Sequence, residues 1–405
     1  MKFIHTGDLH LDSPFRGLAN QSPAAVYQQI QQSTYQAFAR IVDLAIDENV
    51  DFMLIVGDIF DRDHHSVKAA DFFTQQCRRL AVKAIPVYLS YGNHDYQNVA
   101  DDTLLLPENV HVFANQVETK TLILADQRQV KITGFSYGRK WIQQEKVSEY
   151  PLRGNADFWI GMLHGQVKSG HADNYAPFTV DQLLSRHYDY WALGHIHHHQ
   201  QLNDQPPIVY CGNPQGRHIN EAGPHGCYLV EEEGRQLVPR FRAVSVINWE
   251  NLDVMITADD DQRSLRTKVV NAAEQLAAKR PQRLIMVNIR LHLSATTDLG
   301  LDSTDFLEQL QAGQSHAPNL IWWPANCELV GSTALPQLTD ADRQYWQAAA
   351  NQVFQPKTLQ DLVINDKNLS ADYLRDQLAD PDFIKELRQT ATTLLGRRQS
   401  GDENS

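Results

Sequence analysis

Five short stretches of this chain carry carboxylate, amide or imidazole groups, each directly after an apolar run that reads as a strand. "TGDLH" supplies Asp8 and His10, "VGDIFD" Asp58 and Asp61, and "YGNHD" Asn93, His94 and Asp95. "MLHG" supplies His164, and "GHIH" supplies His195 and His197. Oxygen and imidazole donors suit manganese, iron or zinc, and no thiolate accompanies them to force zinc or an iron–sulfur cluster. Two divalent cations held close together need a shared anionic ligand, which one aspartate can provide. Such a pair, about 3.5–4 Å apart, lowers the pKa of a bridging water and clamps the oxygens of a phosphoryl centre. Each motif alone has a plainer reading: "GNHD" as a turn, His164 as a hydrogen-bonded core residue. Five together, each at a strand end, favour a metal site.

The run "YWALGHIHHHQ" (residues 190–200) holds four histidines. Period two along a strand ending puts His195 and His197 on one face, which makes them ligand candidates. His198 points oppositely and reads as surface. His199 shares the ligand parity but lies beyond the rim, and surface is again its simpler reading.

The elements that must position these groups follow from the apolar pattern. "KFIHTG" opens the chain as a short strand. Ser22 followed by Pro23 predicts a helix start, with the helix running to about residue 48. "FMLIVG" (52–57) is a buried strand, a helix covers about 66–82, and "IPVYLSYG" (85–92) is a third strand. This βαβαβ rhythm predicts parallel strands that collect ligands at their carboxyl ends. Glycine before the motifs lets the backbone turn sharply. From about residue 109, "VHVFA", "TLILA", "QVKITGF" and "FWIGMLHG" predict a second sheet. A helix near 179–186, the strand "DYWALG", and the hairpin-like "PPIVYCG", "GCYLVEEE" and "LVPRFRAV" complete it. The expected fold is α/β, a two-sheet β-sandwich flanked by helices, over residues 1–245.

Composition changes near residue 245. Leu265, Val269, Ala272 and Leu276 recur at helical spacing. "LIMVNIRLHL" alternates as a half-buried strand, with Ile285, Val287, Ile289 and Leu291 on one face. A smaller α/β accessory domain over 246–335 is expected to cap the site, followed by a C-terminal helical segment over 336–396 and a disordered tail over 397–405.

The chain has 405 residues, 42% hydrophobic and 21% charged, with a net charge of −13. That charge argues against general electrostatic coating of nucleic acid, which needs clustered Lys and Arg; it leaves open a site where bound cations reverse the local sign. No apolar run is long enough for a membrane span, and "MKFIHTGDLH" is too polar for a secretory signal. Cys77, Cys211, Cys227 and Cys327 lie far apart without a CxxC pair, so reduced thiols and a cytoplasmic location are expected.

The series "GDLH … GDIFD … GNHD … LHG … GHIH" resembles the calcineurin-like metallophosphoesterase superfamily. "GDLHLDSPFRGL", "YAPFTVDQLL", "DYWALGHIHHHQ" and "YCGNPQGRHINE" resemble more narrowly its YhaO-type branch, akin to SbcD-like DNA-repair exonucleases. The resemblance is strong over about residues 1–240. It implies Asp8, His10, Asp58 and His197 on one metal, and Asp58, Asn93, His164 and His195 on the second, with Asp58 bridging. It implies a metal-bridging hydroxide as attacking group, with His94 facing the phosphate and Asp95 orienting its ring. Asp61 matches a position near the metals. The two divalent cations are expected to be Mn2+, with Fe or Zn as alternatives.

Beyond those residues, Arg217 and His218 in "GNPQGRHIN" are weaker candidates for a substrate phosphate, against a polar hairpin loop. His64 and His65 read as helix-start surface, and Asp12 as a turn residue. The expected activity is hydrolysis of DNA phosphodiester bonds by an exonuclease. The alternatives are a phosphodiesterase or phosphatase for small molecules or cyclic nucleotides, and an interaction subunit. An SMC-like ATPase partner is implied by the resemblance; the C-terminal apolar stripe Ile384, Leu387, Ala391 and Leu394 is a candidate docking face, against core packing within the accessory domain, and a homodimer through the long first helix is allowed by the resemblance.

Overall fold

The computed structural model describes residues 1–15, 22–61, 66–96, 104–168, 173–279, 283–293, 302–315, 320–331, 348–355 and 357–359, with isolated positions 378, 384, 387, 388 and 391. The expectations for His64, His65 and the tail 397–405, and most of those for the segment 336–396, lie outside the described residues.

The first half alternates as expected: β1 (Lys2–Thr6), α1 (Ala24–Asp47), β2 (Phe52–Val56), α2 (Val67–Val82), β3 (Val87–Ser90) and β4 (Val110–Val112). β5 (Glu118–Ile123), β6 (Gln129–Gly134), β7 (Phe158–His164), α3 (Val180–Leu184), β8 (Tyr190–Gly194), β9 (Gln200–Asp204) and β10 (Pro207–Tyr210) follow. β11 (Gly226–Glu233) and β12 (Gln236–Ala243) then return to the first sheet, whose order is β12-β11-β1-β2-β3-β4. The second sheet runs β5-β6-β7-β8-β10-β9. β1 through β4 pair in parallel, as do β6, β7, β8 and β10.

Strand periodicity splits each strand between two cores. In β2, Phe52, Leu54 and Val56 join Phe3, Val130, Ile160, Met162 and Tyr190 between the sheets. Met53 and Ile55 instead meet Phe38, Ile41, Phe73 and Leu80 under α1 and α2. In β7 the odd positions Trp159 and Leu163 face outward, onto Leu183, Tyr188 and Trp191. Strands covered on both faces are the all-apolar runs the sequence shows, and the arrangement is the expected sandwich. α2 starts at a Ser66 cap whose side chain accepts from the Ala69 N–H at 3.1 Å. α1 differs from expectation: Pro23 occupies the cap position and no side chain caps the helix.

Two compact units divide the chain: Met1–Val254 with Asp259–Leu291 and Asp298–Glu328, and Met255–Ala258 with His292–Thr297 and Leu329–Ser405. The first unit includes most of a third sheet, ordered β13 (Ile247–Ile256), β14 (Leu284–Leu293) and β15 (Trp322–Gly331), with α4 (Gln262–Ala278) and α5 (Ser303–Gln314). Within that unit Ile247, Trp249, Leu284, Met286 and Trp323 pack on Phe15, Val26 and Ile30. Because Leu284 and Met286 are covered here while Ile285 and Val287 are also buried, the first half of β14 is buried on both faces, not one. The buried stripe of α4 is Leu265, Val269, Ala273 and Ala277, a straight i, i+4 row; Ala272 and Leu276 flank it. In the second unit, residues 348–353 are helical and Ala350 is buried.

Candidate active site

β1, β2 and β3 lie side by side in one sheet, β7 and β8 side by side in the other, and all five deliver their motifs at the carboxyl end. The motifs meet. The His195 N–H donates to both oxygens of Asp8 at 3.0 Å, joining the two sheets. His164 Nδ1 lies 3.1 Å from the Val56 carbonyl, and that contact makes Nδ1 the protonated nitrogen and leaves an Nε2 lone pair pointing inward. His164 Nε2 and His195 Nδ1 both converge on Asn93 Oδ1, at 2.9 and 3.0 Å. His10 Nε2 and His197 Nε2 face each other at 3.0 Å. Asp58 Oδ2 stands between the two groups, 3.5 Å from His164 Nε2 and 3.9 Å from His10 Nε2. All seven expected ligand residues therefore share one pocket.

The backbone there is unusual for residues with side chains: φ is +49° at Asp8, +43° at His10, +50° at Asp58 and +98° at His195. Left-handed backbone at non-glycine positions costs free energy and is retained where the surroundings enforce it. Glycine serves the site through space as much as through turning. A Cβ on Gly57 (φ +79°) would sit 2.1 Å from His164 Nδ1, and one on Gly92 would sit 2.2 Å from Asp58 Oδ1.

The electrostatics suit cations. Burial and the neighbouring Asp58 push the Asp8 carboxyl well above the usual carboxylate range. Burial would raise Asp58 as well, but the imidazoles of His164, His94 and His10 outweigh it and hold it low. Burial, helped by the Arg217 charge, takes His10 down to about 3. Burial also lowers His164 and His197, and takes His195 well below its usual value. The imidazoles are thus neutral, with lone pairs turned on one another and on oxygens. Such acceptor-to-acceptor contacts are unfavourable until a cation or proton sits between them. Among the described residues, three donor groups have the spacing to hold an ion: Asp8, His10 and His197; Asp8, Asp58 and His164; and His10, Asp61 and His94. The residues fit a metal pair.

His94 is half-buried. Its ring centroid lies 5.0 Å from that of His10, and its Nδ1 lies 3.1 Å from the Asp61 carbonyl. Asp95, expected to orient that ring, does not touch it. Its carboxylate accepts from the Gly92 N–H at 2.7 Å and the Ile59 N–H at 2.6 Å, pinning the loops after β3 and β2 together. Burial and Asp58 push it up to about 7. The geometric reason is sequence adjacency: the turn that aims His94 at the rim sends the next side chain inward. Arg217 and His218, expected to reach substrate, are engaged within the protein. The Arg217 guanidinium pairs with Asp61, and His218 Nε2 lies 3.2 Å from Glu221. His198 is exposed, as expected, and His199 stacks on Phe241 with centroids 3.9 Å apart. Asp12 accepts from the Tyr35 hydroxyl at 3.2 Å.

Glu221 ends the stretch "YCGNPQGRHINE", yet nothing in that stretch assigned it a role. It is 4% exposed, and His197 Nδ1 lies 2.7 Å from its Oε1. Its only signal in the sequence is a lone acid closing the polar loop "GRHINE". Tyr175, whose ring lies 4.5 Å from that of His195, opens the stretch "YAPFTVDQLL" and was likewise assigned no role.

A model of the calcineurin-like phosphoesterase family matches residues 1–199. The YhaO metallophosphoesterase of Bacillus subtilis is 36% identical over 332 residues, covering 80% of each chain. The chain belongs to the calcineurin-like metallophosphoesterase family. More distant similarity reaches the DNA double-strand break repair protein Mre11 of Thermoplasma acidophilum, 22% identical over 299 residues, covering 71% of this chain and 76% of that one. Mre11 of Archaeoglobus fulgidus is 26% identical over 302 residues, covering 66% and 64%. As a calcineurin-like metallophosphoesterase, the protein is a phosphoester hydrolase of the dimetal class, and its pocket offers the donors that class requires. Among the described residues no helix is long and apolar enough to cross a membrane.

Proposed function

We propose that this metallophosphoesterase hydrolyses DNA phosphodiester bonds, as the nuclease of a DNA-repair pair with an SMC-like ATPase. In this reading Asp8, His10, Asp58 and His197 hold one cation and Asp58, Asn93, His164 and His195 the other, with Asp58 shared. Manganese suits this oxygen-and-imidazole set, and iron or zinc would also be accommodated. When bound, such a pair supplies Lewis acidity at the phosphoryl oxygens and a more acidic water. The chain supplies the rest. Asp8 and Asp58 anchor the cations with fixed negative charge. His94, its Nδ1 N–H directed at the Asp61 carbonyl, presents Nε2 to the phosphate and, entering the step as the imidazolium, gives its Nε2 proton to the leaving oxygen. The observation that carries the reading is the meeting of seven donor side chains from five strand ends, with His94 at their edge.

Support for a nucleic-acid strand comes from the names of the distant relatives and from the same rim. The segment after β6 carries exposed Arg139, half-buried Lys140 and exposed Trp141, and exposed Lys168 follows β7. Trp141 is 44% exposed, with Lys140 Nζ 5.6 Å from its ring centroid. Its neighbour Ile142 pairs with Tyr175, the residue whose ring lies against His195. Cations around an exposed aromatic ring suit a stacked base and its phosphates. The four free, buried cysteines support a reducing, cytoplasmic setting.

The purified full chain with Mn2+ is expected to release nucleotides from DNA of defined ends. His94→Ala is expected to lose activity by on the order of 10²–10⁴-fold while keeping its metals. Cleavage of a chromogenic small diester but of no DNA would refute the substrate assignment. It would favour the second reading, a small-molecule or cyclic-nucleotide phosphodiesterase, which the net charge of −13 also suits.

A further inference from the structure

Each imidazole assigned to the first cation position is gripped from behind. His197 presents Nε2 to the pocket while its Nδ1 lies 2.7 Å from Glu221 Oε1. His10 presents Nε2 to the pocket while its Nδ1 lies 3.3 Å from Asp61 Oδ1, close but off the axis of a straight hydrogen bond. These two backing carboxylates come from different loops, Asp61 after β2 and Glu221 between β10 and β11, and one residue ties them together. The Arg217 guanidinium pairs with Asp61, and the Arg217 backbone N–H donates to Glu221 Oε2 at 2.7 Å. Glu221 is otherwise filled by the Asn213 side-chain amide at 2.9 Å and by His218. Its carboxylate thus meets four donors, the full complement it can accept.

We propose that residues 217–221 form a clasp that fixes both imidazoles of the first cation position, with Arg217 and Glu221 as positioning residues that set the affinity of that position alone. The inference rests on the ligand assignment above. Its physical basis is that an imidazole ring turns freely about a broad torsion, and a partner on the distal nitrogen removes that freedom and fixes which nitrogen meets the metal. The second position needs no clasp. His164 is held by the Val56 carbonyl inside a strand end, and Tyr137 and Tyr175 pack against His164 and His195. A loop grips one position and the sandwich core grips the other.

Calorimetric titration of the full-length, metal-stripped protein with Mn2+ tests this. Wild type is expected to show two classes of site, and His10→Ala identifies the first as the one it removes. Glu221→Gln keeps shape but turns an amide toward donors. It is expected to weaken that same class about 10–100-fold and leave the other within about twofold. Arg217→Ala is expected to hit the same class, Arg217→Lys to recover part of the loss, and the double variant to lose less than the sum. Melting in chelator separates misfolding from loosening, and if Glu221→Gln does not fold, the Arg217 pair decides. Equal weakening of both classes, or of neither, or effects of the two residues on different classes, overturns the clasp. Absence of any tight Mn2+ site in wild type would refute the metal-pair assignment itself, a different failure.

Discussion

The two halves of the metal pocket are built by different means. The first, around Asp8, His10 and His197, draws its order from charged groups: Asp61 after β2, and Arg217 and Glu221 in the loop between β10 and β11, back its imidazoles. The second, around Asn93, His164 and His195, draws its order from packing, a backbone carbonyl and two tyrosine rings. The contrast matters because a buried charged network fails when one partner is removed and another is left unpaired, whereas close-packed strand ends fail on a change of volume.

The largest expected effect removes the feature the halves share. Asp58→Ala is expected to empty both positions and lower hydrolysis by on the order of 10³-fold or more, measured as metal content and turnover together; retention of either metal at wild-type affinity would break the shared role. Next is Gly92→Ala. Its Cβ would press on Asp58 Oδ1 at 2.2 Å and on His164 Cε1 at 2.8 Å, so the packed half should suffer most. A stability loss of about 1–3 kcal/mol, with metal loss concentrated in the class that His10→Ala leaves intact, is expected from melting and titration.

A broader effect concerns pH. In metal-free protein, burial takes His5 and His10 down to about 3 and lowers His164, His195 and His197. Between those folded values and the unfolded 6.5 the unfolded chain binds more protons, so stability rises with pH through that window. Asp8, held high, and Asp95, at about 7, act oppositely above about 3.8 but are outnumbered. The melting temperature in chelator is expected to climb from about pH 4 to pH 6.5 and then to turn gently downward, as Asp8 and Asp95 stay protonated only in the folded protein; a fall between pH 4 and pH 6.5 would contradict the neutral-imidazole picture of both halves. The smallest effect is that of His198→Ala, which touches neither half: stability should change by no more than about 0.5 kcal/mol and both metal affinities should stay put.

How much of this was legible in the sequence follows from where each interaction is encoded. The candidate donors were readable because a strand end, a glycine and a donor are consecutive residues, although His195 (φ +98°) and His197 lie past the end of β8, where strand alternation no longer applies. The sandwich was readable because apolar runs split by glycine-rich loops leave few other topologies. Glu221 was not, since its four donors come from a strand end, a turn and its own loop, brought together only by folding. Asp95 was misassigned for a related reason: adjacency to His94 suggested contact, but neighbours in a turn diverge. The α4 stripe rotated by one residue because Leu276 is wide enough to flank a seam that the small Ala273 and Ala277 occupy. Gly92 read as a residue that lets the backbone turn, whereas the structure uses it as room for Asp58.

The most direct measurement is anomalous diffraction from crystals soaked in Mn2+. The account predicts two peaks about 3.5–4 Å apart, one among Asp8, His10 and His197, the other among Asn93, His164 and His195, with Asp58 between them. A single peak elsewhere, or none in this pocket, would contradict it.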